Sequence, residues 1–219
     1  MFTAAKTLLL LLSALFPIVN PLGGSPMFLA MTRDYLPAER RALSRRVALN
    51  SFFLLVGSYF IGRYILSFFG ISLPVVQVGG GLIVISTGWA MLKQPDEDER
   101  SAMQKHGEQH DPLRQAFYPL TLPLTVGPGS ISVAITLGAN AVQHEGVHIL
   151  PMVAAVIASA LIAISIYLCY GFGDRLAQVL GATAMSVILR LSSFLLVCIG
   201  VQILWNGASA LLASLSHTH

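Results

Sequence analysis

Long apolar segments constrain this chain more than any other feature of its sequence. There are six of them, at residues 5–32, 47–69, 73–92, 116–140, 148–171 and 186–213. A helix needs about 20 apolar residues to cross the hydrocarbon core of a bilayer, so each segment is long enough for one crossing. With 55% hydrophobic and only 11% charged residues, the chain lacks the polar surface that a soluble domain needs. The sequence therefore predicts an all-α membrane protein with six transmembrane helices.

The first and fourth segments are interrupted by matching proline-rich stretches. Adding 102 to three positions in the first stretch gives three prolines in the second: Pro17, Pro21 and Pro26 become Pro119, Pro123 and Pro128. Proline removes an amide donor and clashes with the preceding helical turn, so these stretches predict that helices 1 and 4 are broken mid-membrane. In the first break, Ser25 is expected to cap the second half-helix with Pro26 at its first position, and Gly127-Pro128 repeats that pattern.

The two halves of the chain continue to match beyond these breaks. Gly62 and Gly70 correspond to Gly173 and Gly181 at an offset of 111 residues. The chain therefore reads as three helices repeated, and an odd number of crossings requires the second repeat to enter the membrane from the opposite side. The predicted organisation is a first three-helix repeat at residues 1–93, a charged cytoplasmic loop at 94–113, and a second, inverted three-helix repeat at 114–219.

The positions of Lys and Arg predict the orientation of the chain in the membrane. Apart from Lys6 and Arg63, every Lys and Arg lies in or next to the loops that follow the first, third and fifth segments. Loops rich in Lys and Arg stay in the cytoplasm, so both termini are predicted to face outward, which in a bacterium means the periplasm. The basic residues lie mostly in these loops beside the membrane, so the net charge of +3 gives no reason to expect a nucleic-acid partner.

The two breaks form the predicted binding site. Non-helical backbone at membrane depth is tolerated only where it is buried in protein or lines a cavity. Freed amides near Gly23–Ser25 or near Gly127–Gly129 would hold a carboxylate. An ammonium group would meet freed carbonyls of the opposite break, near Pro17–Asn20 or Pro119–Thr121, which also suit a cation. This combination suits a small zwitterion, while purely structural kinks are the alternative interpretation. The polar side chains in or beside the breaks are Asn20, Thr121, Thr125 and Ser130.

Charged residues are scarce within the predicted spans. Arg190, early in the sixth, is a functional candidate because an intramembrane charge is costly, although snorkelling to the cytoplasmic face explains it equally well. No Asp or Glu lies within a predicted span, so any coupling to Na⁺ or H⁺ would use hydroxyls and carbonyls, or a proton on the substrate or near the interface. The sequence presents no nucleophile–base pair, and we predict no enzyme activity, no catalytic residue, no metal site and no cofactor.

Between Val19 and Phe28 the chain resembles the MarC/SnatA family of integral membrane proteins. Further similar motifs are Phe69–Ser72, Gly79–Leu82, Pro119–Ile131 and Arg190–Gln202. The resemblance covers nearly the whole chain and implies a bacterial inner-membrane protein of six helices, whose characterised relatives are described as transporters of small neutral amino acids such as glycine and alanine. It implies substrate contact by residues of both breaks, namely Asn20, Pro21, Gly23, Gly24, Thr121, Thr125, Gly127 and Gly129.

The predicted function is a secondary transporter that moves a small neutral amino acid or similar zwitterion across the inner membrane by rocking the two broken helices against the other four. A channel-like pore and a non-transporting membrane scaffold subunit are the alternatives. The predicted partners are the small-molecule substrate and the lipid bilayer, and a homo-oligomer is left open. The predicted substrate-binding residues are Asn20, Pro21, Gly23, Gly24, Ser25, Thr121, Thr125, Gly127, Gly129 and Ser130.

Overall fold

The computed structural model describes residues 2–93, 115–145 and 149–216, whose regular secondary structure is all helical. The helices in chain order are α1 Phe2–Val19, α2 Pro21–Met31, α3 Pro37–Phe68, α4 Leu73–Leu92, α5 Ala116–Thr125, α6 Pro128–Glu145, α7 Ile149–Gly171 and α8 Gly173–Ser216. The predicted all-α class is confirmed for these residues. The predicted charged loop at 94–113 lies outside them.

The described helices include the apolar spans that the sequence predicts. Five are long and apolar enough to cross a membrane: Lys6–Met31, Pro37–Phe68, Leu73–Leu92, Ile149–Gly171 and Ser186–Ser214. Helix α5 and residues Pro128–Ala141 of α6 make a sixth if they are counted as one span, with a bend of 69° between them. The largest difference is in α3, which begins at Pro37 rather than at residue 47, so that its Arg-rich first turns precede the apolar segment.

The helices form two packed groups. Helix α3 packs against α5, α6 and α7, and α1 packs against α7 and α6; with α2 these elements form what we call the main bundle. Helix α4 makes its most extensive contacts with α8, and we call α4 and the part of α8 beyond Gly181 the α4–α8 pair. The main bundle meets these two helices mainly where α4 packs on α6 and where α2 packs on α8. A boundary between two packed groups is therefore built into the fold.

Glycines allow the two helices of the α4–α8 pair to touch through their backbones. A Cβ atom on Gly81 would lie 2.6 Å from the backbone nitrogen of Leu204, and one on Gly200 would lie 2.7 Å from that of Ile85. Neither distance leaves room for a side chain. Without a hydrophobic force between helices in lipid, close packing of small residues is what holds such a pair together.

Two glycines with positive φ precede the helices of this pair. Gly70, with a φ of 66°, lies between α3 and α4, and Gly181, with a φ of 75°, interrupts α8 ahead of its apolar span. These are the two glycines that correspond in the sequence at an offset of 111 residues. Left-handed backbone favours glycine, because a Cβ there meets the following carbonyl oxygen. Each helix of the pair thus joins the rest of the chain through a glycine of unusual backbone conformation.

Replacing Gly81 by alanine should lower the free energy of unfolding by about 1–3 kcal/mol, as overpacking does elsewhere. The added methyl group would press on backbone atoms of α8, which cannot rotate away. Gly79 on the same helix has no atom within 4 Å of an added Cβ, so G79A is the matched control and carries the same gain in helix propensity. Thermal unfolding in detergent measures both variants; equal midpoints would contradict the packing described here.

Candidate functional site

The first interruption is a single residue, Asn20, which lies between α1 and α2. Its backbone is left-handed, with φ 47° and ψ 61°, a conformation that asparagine tolerates better than most residues. Its Oδ1 atom accepts a hydrogen bond from the Gly23 amide at 3.1 Å. Asn20 is therefore the N-cap of α2, and Pro21 takes the first helical position, where its missing N–H costs nothing.

The predicted helix restart at Ser25-Pro26 is wrong. Ser25 lies inside α2, and its hydroxyl donates to the carbonyl of Cys169 in α7 at 2.9 Å instead of capping a helix. The pattern of a polar cap followed by proline operates earlier in the chain, at Asn20 and Pro21. Asparagine there supplies both a capping oxygen and a backbone that tolerates positive φ, so the kink needs only one residue.

The second interruption distorts the whole of α5. Tyr118 and Leu122 have extended backbone angles, φ −127° and ψ 122° for the first and φ −108° and ψ 126° for the second. Each precedes a proline, whose ring clashes with a helical conformation of the residue before it. The peptide bonds to Pro119 and Pro123 are cis.

Hydroxyl groups take part in the hydrogen bonding of this distorted helix. Thr121 Oγ1 donates to the carbonyl of Ala116 at 2.6 Å, and Thr125 Oγ1 donates to that of Leu120 at 2.7 Å. The Thr121 carbonyl in turn accepts from the amide of Val126 at 2.9 Å, a wide turn that spans five residues. Both threonines are buried, and their hydroxyls stabilise backbone that proline has removed from the regular helical pattern.

Helix α6 begins at Pro128, the position that the sequence predicts. The carbonyl of Gly127 accepts from the Ile131 amide at 3.1 Å and from the Ser130 hydroxyl at 2.9 Å. The amides of Gly129 and Ser130 belong to the first turn of α6, where the helix itself supplies no acceptor. They are therefore placed as donors at the end of the helix that carries partial positive charge.

Both interruptions face one cavity of about 500 Å³. It lies between the main bundle and the α4–α8 pair, because its other walls are formed by residues of α2 and α4 and by Leu196 of α8. Six of the ten predicted binding residues line it: Asn20, Gly24, Thr125, Gly127, Gly129 and Ser130. The other four are buried but do not line it: Pro21, Gly23, Ser25 and Thr121.

The cavity extends from the interruptions towards one end of the molecule. Its lining reaches Met31 at the end of α2, Met91 near the end of α4 and Pro119 near the start of α5. These ends adjoin Arg33 and Lys93 in the sequence, on the side that the positive charges predict to be cytoplasmic. Exposed residues of α4 in the lining leave this part of the cavity open; they are Ile83, Ser86, Thr87 and Ala90.

On the opposite side of Asn20 the main bundle is closed by tight packing. Leu11, Tyr59 and Ala158 form one buried apolar cluster there. A Cβ on Gly138 would overlap the backbone of Tyr59, and one on Gly62 would overlap Ile135. Among the described residues, this part of the main bundle is therefore tightly packed.

The polar groups of the cavity are few and include a buried donor without a partner. The Nδ2 atom of Asn20 is buried and makes no hydrogen bond within the described residues. An unsatisfied buried amide costs about 1–3 kcal/mol, so a donor of this kind in a cavity wall is poised for a ligand acceptor. Most of the remaining wall is apolar, including Met27, Val84 and Leu196, as is usual for small-molecule sites.

Outside the interruptions, one residue that the sequence singles out lies away from the cavity, and one that it does not single out contacts a lining residue. Arg190 is exposed and does not line the cavity. Tyr170, which sequence reasoning did not single out, is fully buried and its hydroxyl lies 3.1 Å from Thr125 Oγ1. A tyrosine near the end of an apolar segment is usual at a membrane interface, so no local signal distinguishes this one.

Comparisons with known proteins place the whole chain in one family. A family model described as MarC family integral membrane protein matches residues 5–212. The UPF0056 inner membrane protein MarC of Salmonella typhimurium is 34% identical over 202 residues, which are 90% of this chain and 91% of that protein. The UPF0056 membrane protein YvbG of Bacillus subtilis is 31% identical over 195 residues, 89% of this chain and 90% of that protein. No solved structure matches this chain.

The resemblance that the sequence motifs carry is thereby confirmed. The match extends over both interruptions and over the helices that surround the cavity. This chain is an integral membrane protein of the MarC family.

Proposed function

We propose that this protein is a secondary transporter that moves a small neutral amino acid or similar zwitterion across the bacterial inner membrane. The observation that carries the proposal is that both proline interruptions line one cavity, beside the buried Asn20 Nδ2, which has no partner among the described residues. Paired interruptions of this kind mark substrate sites in transporters. The proposal includes two inverted three-helix repeats, interruptions at mid-membrane depth and periplasmic termini. Relatives named inner membrane proteins support the location.

The polar groups of the cavity match the two charged ends of a zwitterion. In this proposal the substrate carboxylate accepts from Asn20 Nδ2 and from the first-turn amides of α6 at Gly129 and Ser130. The ammonium group donates to the carbonyl of Leu124, since Pro128, four residues further on, has no N–H to offer it. The apolar remainder of the wall leaves room for a small apolar side chain and disfavours a charged one.

The packing of the helices supports a particular moving unit. Sequence reasoning expects the two interrupted helices to rock against the other four, but in this structure α1 packs chiefly on α7 and α5 on α3, within the main bundle, while α2 contacts both α7 and α8. We propose instead that the α4–α8 pair moves as one unit against the main bundle, with Gly70 and Gly181 absorbing the change in backbone angles. The cavity lies on the boundary between these groups, so their relative motion would open it to one side at a time.

Reconstitution of the purified protein into proteoliposomes tests the function directly. We expect saturable uptake of labelled glycine or L-alanine, stimulated by unlabelled amino acid on the opposite side, with imposed Na⁺ and pH gradients identifying the coupling ion. Flux that does not saturate would indicate a pore. Absence of uptake together with no ligand-induced rise in the thermal midpoint would indicate a scaffold subunit, because a substrate must stabilise the carrier that binds it.

Replacing Asn20 by aspartate separates the two roles of this residue. Aspartate keeps the capping oxygen for the Gly23 amide but replaces the donor Nδ2 with an acceptor that repels a carboxylate. We expect N20D to bind and transport substrate at least about tenfold less well, which is roughly 1.4 kcal/mol, and to keep most of its stability. N20A is the control for the cap and should lose about 0.5–2 kcal/mol of stability.

Uptake kinetics measure the effect of each variant on transport, and thermal unfolding measures its effect on stability. Wild-type uptake by N20D would contradict a role for the Asn20 amide in binding.

Alanine at Gly70 or Gly181 tests the proposed hinges. A side chain at positive φ costs of order 1–2 kcal/mol, and we expect the maximal uptake rate to fall several-fold because one backbone state is strained relative to the other. G79A on α4, where glycine is helical and an added Cβ meets no atom, is the control for a change of glycine alone. Initial uptake rates at saturating substrate measure the effect; a G70A/G181A double variant with wild-type rates would exclude these hinges.

A further inference from the structure

We propose that the hydroxyl group of Tyr170 holds α2 and the interrupted helix α5 at a fixed spacing and thereby limits the size of the substrate that the cavity accepts. The size limit, the second part of this inference, rests on the proposed transport function. The first part, the spacing, rests on contacts between three segments of the main bundle.

Tyr170 touches both α2, which follows the first interruption, and α5, which contains the second. Its side chain is 0% exposed, and its ring stacks on Phe28 of α2 with centroids 4.5 Å apart and 18° between the planes. The hydroxyl oxygen lies 3.1 Å from Thr125 Oγ1 in α5, and a Cβ on Gly24 of α2 would overlap it. Gly24 and Thr125 line the cavity, whereas Tyr170 does not.

The protons in this group are ordered by the available partners. Thr125 Oγ1 donates its proton to the carbonyl of Leu120 at 2.7 Å. Tyr170 must then donate to Thr125, because each hydroxyl has one proton. A buried phenol hydroxyl without a hydrogen-bond partner is costly, so any arrangement that breaks this bond is disfavoured. The hydroxyl is thereby held in place against the α5 interruption.

Helix α2 is held against the same part of α7. The Ser25 hydroxyl donates to the carbonyl of Cys169 at 2.9 Å, so the neighbours of Gly24 and Tyr170 in sequence are bonded to each other. Gly24 has no side chain, and the Tyr170 hydroxyl occupies the space that one would fill. The hydroxyl therefore separates two residues of the cavity wall, Gly24 of α2 and Thr125 of α5. Removing it would let both walls retreat and widen the site.

A double-mutant cycle tests the spacing without any transport measurement. G24A should lower the thermal midpoint, because its methyl group meets the Tyr170 hydroxyl. In G24A/Y170F the nearest remaining ring atom, Cζ, lies 3.4 Å from that methyl group, an ordinary contact. We therefore expect the double variant to be more stable than the sum of the two single losses predicts, and to regain roughly half or more of the midpoint lost in G24A. Additive losses would overturn the spacing role.

Substrate selectivity tests the size limit. Uptake of glycine, L-alanine and L-valine into proteoliposomes gives kcat/KM for each, and Y170F should raise the value for valine relative to that for glycine by about tenfold, the lower end of what one misfitting methylene group costs. Y167F is the matched control. Tyr167 lies on the same helix but does not line the cavity, and its ring centroid is 6.4 Å from that of Phe172. A merely structural tyrosine would change the amount of folded protein and not this ratio.

Failure of the size limit can be distinguished from failure of the proposed function. An unchanged valine-to-glycine ratio in Y170F, with wild-type protein active, would overturn the size limit. If wild-type protein takes up none of the three amino acids, the proposed function and the size limit both fall, whereas a non-additive unfolding cycle would still support the spacing role.

Discussion

A backbone polar group inside a bilayer needs a partner within the protein, and the prolines of this chain remove such partners at two places. Everything around the cavity follows from how those groups are satisfied. Asn20 caps α2 with its own side chain, and the threonine hydroxyls of α5 bond to carbonyls that a regular helix would have paired with amides. Within the part of the chain that the structure describes, the buried Asn20 Nδ2 atom in the cavity wall has no hydrogen-bond partner. Irregular backbone in a membrane-spanning segment is tolerated where it is buried in protein or lines a cavity, and both interruptions line this cavity.

The cavity exists because the helices form two groups that pack well internally. Backbone contact at Gly81 and Gly200 holds α4 to α8, and the main bundle packs around buried side chains such as Phe28 and Tyr170. The boundary between the groups is less extensively packed, and the interruptions lie on it. In the proposed transport cycle, substrate binding and helix movement would therefore take place at the same boundary, as alternating access requires.

Much of this arrangement is predictable from local sequence, and the exceptions have physical causes. The helix start at Pro128 follows from proline chemistry alone, and so does the distortion of α5. The start of α2 was misplaced because Asn20 and Ser25 are both good caps before a proline, and only the bond of Ser25 to Cys169 in α7 decides between them. Tyr170 could not be found because its partners, Gly24 and Thr125, are distant in the chain.

Hydropathy by itself determined the helical class and the apolar spans, and proline spacing determined the distortion of α5 and the start of α6, because each depends on a few neighbouring residues. Only the tertiary structure decided that both interruptions face one cavity, which donor is left without a partner, and which helices pack as a unit. Those features depend on contacts between residues more than 50 positions apart, such as Ser132 Oγ with the carbonyl of Val76 at 3.0 Å. The local periodicity of the sequence does not predict such contacts.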